Sequence, residues 1–174
     1  MKKIFIASAI LMGVTSTAAS ANGDVTFFGS VTATTCSLVP EVDGAVNKMI
    51  QLGQAKPSND GKLVHFSLKK DPSDTSCDTT LGANNIKAQI TWSAPEMGPT
   101  GLGIVSGAAK DSRVEIKTVN AEGANQVTIT STTDNAEFTG ADVLAEGAKY
   151  TAQLKGGTTP GDFRSAAAYS VVYK

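Results

Sequence analysis

Apolar and polar residues alternate with a period of two in one short stretch after another, and no long stretch repeats with the helical period. The clearest runs are "KLVHFSLK" from Lys62, "IKAQITW" from Ile86, "RVEIKTV" from Arg113, "AKYTAQLK" from Ala148 and the closing "SAAAYSVVYK" from Ser165. "VTFFGSVTATTCSL" from Val25, "NKMIQLG" from Asn47 and "QVTITST" from Gln126 are further strand candidates. Turn-forming clusters separate them, among them "KPSNDG" at Lys56 to Gly61, "DPSDTS" at Asp71 to Ser76 and "KGGTTPGD" at Lys155 to Asp162. Short strands spaced by turns predict an all-β chain, an antiparallel sandwich rather than a series of βαβ units. "SAPEMGPTGLGIVSGAAKDS", Ser93 to Ser112, shows no clear period; a long loop with a short helical turn is one reading, and the sequence leaves the segment undefined.

Alternation also assigns faces. In "KLVHFSLK", Val64, Phe66 and Leu68 point to the core, while Leu63, His65, Ser67 and Lys69 point away. In "RVEIKTV", Val114 and Ile116 face inward while Arg113, Glu115 and Lys117 face water.

The first residues predict export. Lys2 and Lys3 precede an apolar run from Ile4 to Val14, and Ala19, Ser20 and Ala21 supply the small residues a signal peptidase accepts. That run is roughly half of the ~20 residues a membrane span needs, so residues 1–21 read as a cleaved signal peptide with the mature chain starting at Asn22. Losing the two lysines moves the formal charge from −1 to −3, which gives no electrostatic reason to expect nucleic acid as a partner. Residues 22–174 are of one-domain size.

Cys36 and Cys77 are the only cysteines. In an oxidising compartment they have one possible pairing, and a bridge closing that loop stabilises the fold by about 4 kcal/mol in the chain-entropy model.

Catalytic chemistry finds little to build on. His65 is the single histidine and lies on the outward face of its run, which leaves a triad or an imidazole metal site without members. No glycine loop of the phosphate-binding types follows a strand. Asp71, Asp74 and Asp78 cluster near Cys77, but the regular ligand order closing on Glu that a calcium loop needs is missing, and a turn is the ordinary reading. The expectation is therefore no enzyme, no metal and no cofactor.

The two ends carry a resemblance. "NGDVTFFGSVTATTC" places Gly23, Val25 and Phe27 in alternation ahead of Cys36, and the chain ends in an alternating run with Tyr173 penultimate and Gly161 some way before it. This layout resembles the chaperone–usher fimbrial subunits of Gram-negative bacteria over the whole chain. The segments "TCSLVPEVDG", "IQLGQA" and "ITWSA" look most like the K99 (F5) branch of that family. The resemblance implies an incomplete immunoglobulin-like sandwich whose missing strand comes from another chain. A periplasmic chaperone fills the groove first, and the extension of the next subunit later replaces it, both by strand addition.

Carried onto these positions, residues 22–29 are the donor-strand extension, with Val25 and Phe27 as inserted anchors and Gly23 where a side chain does not fit. Residues 30–174 are the pilin domain. Burying one Val and one Phe contributes roughly 3–6 kcal/mol before ordering costs. Gly161, Ala167, Tyr169, Val171 and Tyr173 mark the acceptor strand that chaperone and donor pair with. The sequence leaves open which face lines the groove, because Ala168, Ser170 and Val172 are also small or apolar.

The implied partners are the chaperone, an outer-membrane usher, other fimbrial subunits and a host glycoconjugate receptor. The implied location is the cell-surface fimbrium, reached through the periplasm. In the K99-like branch the major subunit is itself a lectin for sialylated glycolipids. Lys110, Arg113, Lys117 and Lys149 are the bases that could meet a sialic acid carboxylate, although a solvated strand face accounts for each as well. A monomeric carbohydrate-binding sandwich, with the two ends paired inside one chain, is the alternative function.

Overall fold

The computed structural model describes residues 36–123 and 126–174. Along them run β1 (Leu38–Val42), β2 (Ala45–Val46), β3 (Asp60–Lys70), α1 (Ser76–Leu81), β4 (Lys87–Ser93), β5 (Met97–Gly98), β6 (Gly101–Leu102) and β7 (Ser106–Gly107). Then come β8 (Arg113–Thr118), β9 (Thr128–Ile129), β10 (Asn135–Thr139), α2 (Gly140–Glu146), β11 (Ala148–Lys155), β12 (Phe163–Arg164) and β13 (Ala168–Tyr173).

The larger sheet has the order β2-β1-β3-β11-β8-β6-β5, with β9 also paired to β8. A three-stranded sheet, β10-β4-β13, carries the other apolar face, and β7 pairs with β12 in a small ribbon. Every described pairing is antiparallel, as hairpins and meanders of short strands require.

The core follows from the period of two. β4 turns Ala88, Ile90 and Trp92 inward, β10 turns Ala136 and Phe138, and β8 turns Val114 and Ile116, all nearly free of solvent exposure. Phe66 and Leu68 of β3 are buried as the alternation predicts, while Val64 is half-buried nearer the strand start. Tyr150 of β11, wholly buried, is the centre of the packing. It stacks on Phe66 at 5.3 Å and meets Trp92 edge-on at 5.4 Å, with Phe138 at 5.4 Å. Those rings join the two sheets.

Several sequence expectations give way to local hydrogen bonding. "NKMIQLG" is not a strand: the Asn47 side chain accepts from the Met49 amide at 2.9 Å, a turn that ends the extended pairing begun in β2. "QVTITST" contributes only Thr128–Ile129, because the Thr130 hydroxyl accepts from the amides of Thr132 and Thr133 and folds the chain back. Ser93 to Ser112 contains no helical turn; it is built from the paired fragments β5, β6 and β7.

Neither helix announces itself by period, being six and seven residues long. α2 is fixed by a reciprocal cap, in which the Thr139 hydroxyl accepts from the Asp142 amide and donates to its carboxylate. Gly140, which opens α2, sits so close to Ile86 that a Cβ would lie 2.0 Å from its Cγ2 and 2.6 Å from the Leu81 carbonyl oxygen.

Carboxylates tie the loops. Asp111 accepts from the Thr158 hydroxyl and amide and from the Thr159 amide, pinning the segment that leads into β12. The Thr158 hydroxyl, with the two amides, holds the Asp111 carboxyl well below the usual range. Lys174 likewise holds Glu137 low through a 2.5 Å ion pair.

Two outcomes are expected. Gly140→Ala should lower unfolding free energy by about 1–3 kcal/mol through overpacking, read from urea denaturation; a change within error would show that Ile86 yields freely. The acids held low bind fewer protons folded than unfolded, so their contribution is present above about pH 4 and is lost as pH falls through the depressed folded values. The urea midpoint should therefore fall below about pH 4, and less steeply in Asp111→Asn than in the parent. Parallel profiles would argue against the clamp.

Candidate functional site

β13 is the last strand and lies at one edge of the three-stranded sheet. Its inner edge pairs with β4 over its whole length, from Ala168 opposite Ser93 to Tyr173 opposite Ala88. No described residue pairs with its outer edge. Register decides the faces. Tyr169, Val171 and Tyr173 stand opposite Trp92, Ile90 and Ala88, so they share the inward face and pack on the core, whereas Ala168, Ser170 and Val172 face out.

The inward face is incompletely covered. On β4, Ala88 and Ile90 have no exposure, yet their β13 neighbours Tyr173 and Val171 are only partly buried. The apolar stripe thus reaches an open sheet edge, the arrangement that accepts an added strand.

The segment Cys36–Leu38 faces β13 across this opening, and three ties fix it from behind. Cys36 is bonded to Cys77 of α1, with 4.5 Å between their Cα atoms. The Ser37 amide donates to Asp74 Oδ2 at 2.8 Å, and the Ser37 carbonyl accepts from the Asp71 amide at 2.8 Å. Asp74 also accepts from the Ser76 hydroxyl at 2.5 Å, and this bond and the Ser37 amide hold its pKa low. The acidic cluster near Cys77 is therefore a structural clamp. No group of three or more candidate metal ligands occurs among the described residues.

From the front, two phenols cross the opening. Tyr169 Oη donates to the Leu38 carbonyl at 2.8 Å, and Tyr173 Oη donates to the Cys36 carbonyl at 2.7 Å. Burial raises the pKa of both, that of Tyr173 to about 12 with help from the Asp74 charge, so both stay protonated donors through the ordinary pH range.

Other sequence candidates lie elsewhere. Ala167 is exposed and precedes β13 by one residue. Gly161 lies outside that strand, ahead of β12, at φ +154 and against Ala108, where a Cβ would come within 2.6 Å of the alanine Cβ. Gly23, Val25 and Phe27, the signal segment 1–21 and the extension 22–29 fall outside the described residues.

Of the four bases, Lys117 pairs with Glu115 at 2.8 Å and Lys149 with Glu146. Arg113 is half-buried on β8, and Lys110 is exposed. A shallow cavity of about 180 Å³ brings Lys149 together with His65, Glu41 and Asp43, and Lys110, Arg113 and Lys117 are not among its lining residues. The Tyr169 and Tyr173 cross-bonds were beyond sequence reasoning, since nothing local links them to Leu38 and Cys36.

No protein-family model matches the chain. The F107 fimbrial protein of Escherichia coli is 41% identical over 175 residues, covering 100% of both chains. The K99 fimbrial protein of Escherichia coli is 32% identical over 186 residues, covering 99% of each, and the Fimbria A protein of Serratia marcescens is 28% identical over 185 residues, covering 100% of this chain and 99% of that one. Among solved structures, the P pilus rod subunit PapA superposes with a TM-score of 0.51 at 16% identity, over 88% of this chain and 100% of that chain. That likeness gives the fold, an incomplete immunoglobulin-like sandwich, in agreement with the open edge of β13. With two fimbrial relatives above 30% identity along essentially the whole chain, the protein belongs to the chaperone–usher fimbrial subunits and is a structural subunit of the pilus.

Proposed function

We propose that this subunit polymerises by donor-strand exchange at the outer edge of β13. The observation that carries the reading is the pairing of an edge without a described partner with an apolar inward face, Tyr169, Val171 and Tyr173, that is only partly buried. A periplasmic chaperone covers that stripe first. Residues 22–29 of the next subunit then take its place at the usher, with Val25 and Phe27 laid over the stripe and Gly23 passing where space is short.

Residues 1–21 direct export and are removed, which leaves this extension at the mature N-terminus. The fibre stands on the cell surface and serves attachment to host cells. Main-chain pairing along β13 supplies a sequence-tolerant part of the affinity, and the alternate side chains supply the register.

Cells carrying the assembly machinery should yield fibres that run as a ladder of multiples on a denaturing gel when not boiled. Deleting Asn22 to Phe28 should abolish the ladder while the truncated subunit still co-purifies with its chaperone. Monomer alone from the parent chain would sink the polymer reading in favour of a lone exported module.

A further inference from the structure

We infer that Tyr169 and Tyr173 form a latch across the groove beside β13 that must release when a strand enters, an inference that rests on the donor-strand reading above. The argument starts from which way backbone groups point on the wall opposite β13. Along an extended segment they alternate sides. The Ser37 carbonyl accepts from Asp71 on the β3 side, whereas the Pro40 carbonyl accepts from the Asn47 amide on the opposite side. Cys36 and Leu38, in step with Pro40, therefore aim their carbonyls away from β3, along the free edge that faces the opening.

An entering strand would meet those carbonyls as ready acceptors, just as Asn47 meets that of Pro40. In this structure the phenol hydroxyls of Tyr169 and Tyr173 hold both, at 2.8 and 2.7 Å. Two side chains of the strand bordering the groove thus satisfy the wall that the missing strand would satisfy. Val171, between them, carries no polar atom and leaves its position to an apolar anchor.

The disulfide and Asp74 keep the wall in place whether or not the phenols engage it. Release of the hydroxyls therefore frees acceptors without unfolding the segment. The latch sets the rate of strand entry, while the depth of apolar burial sets how long the strand stays.

The test uses the mature chain, its Tyr169→Phe and Tyr173→Phe variants and the double variant, with a fluorescent synthetic peptide of residues 22–30 as the probe. Each single variant should bind the peptide about five-fold faster, and the double variant about twenty-fold faster, with dissociation changed less than about two-fold. Hydroxyls that merely stabilise the fold in both states would leave association unchanged; equal association rates in all four proteins overturn the latch. In the parent chain, ultraviolet Raman spectra should show the tyrosine doublet shift on peptide binding. The double variant, which retains only Tyr150, should show no such shift. An unshifted doublet in a peptide-bound parent overturns the latch even where the double variant fails to fold. Failure of the peptide to bind any of the four proteins strikes at the donor-strand reading itself, and the latch falls with it.

Discussion

The stack of rings around Tyr150 is what makes two unequal sheets into one body. Phe66 and Tyr150 belong to the larger sheet, Trp92 and Phe138 to the smaller, and their contacts at 5.3 to 5.4 Å around Tyr150 cross the interior. Burying a whole tyrosine, about 200 Å² at about 25 cal/mol per Å², contributes about 5 kcal/mol. That exceeds the about 1–3 kcal/mol cost of burying its hydroxyl with poor hydrogen bonding, the Trp92 side chain being the polar neighbour it has in the core. The same stack continues through Trp92 to Tyr169 at 5.5 Å. The open edge is therefore an extension of the core, and whatever covers β13 completes a packing already begun.

Legibility followed the length of each pattern. β11 spans the eight residues Ala148–Lys155 that the alternation marks out, β3, β4 and β8 lie within a residue or two of their runs, and β13 within three, because a half-buried strand must alternate to satisfy both faces. The two-residue strands and the two short helices carry too few residues to express a period. Side-chain competition was also invisible to periodicity: Asn47 and Thr130 each look like strand residues, yet their oxygens capture nearby amides. At the site, the identity of the last strand could be read from its residues, but its inward face could not. Both of its faces carry apolar residues, and it is the register of β13 on β4 that separates them.

An open edge must resist self-pairing while it waits, and most devices for that purpose would also block a legitimate strand. Charge is placed here on the outward face instead, where Lys174 pairs with Glu137, and Lys87 with Glu122. Those pairs leave the inward stripe apolar. Exposed pairs contribute little to stability, so their effect falls on solubility and on excluding a second sheet from that face.

The wall at Cys36–Leu38 meets a different constraint. On its open side it lacks a backbone neighbour among the described residues, so strand pairing alone cannot fix it. The covalent bond to Cys77, the Asp74 clamp and the β3 pairing restrain it from behind, and each is independent of what lies in front. A bridge in that place holds one side of the opening at constant geometry whatever lies in front of it. Stability and incompleteness are thereby separated in space: the Tyr150 stack secures the body, the disulfide secures the wall, and among the described residues side-chain hydrogen bonds span the opening between β13 and that wall.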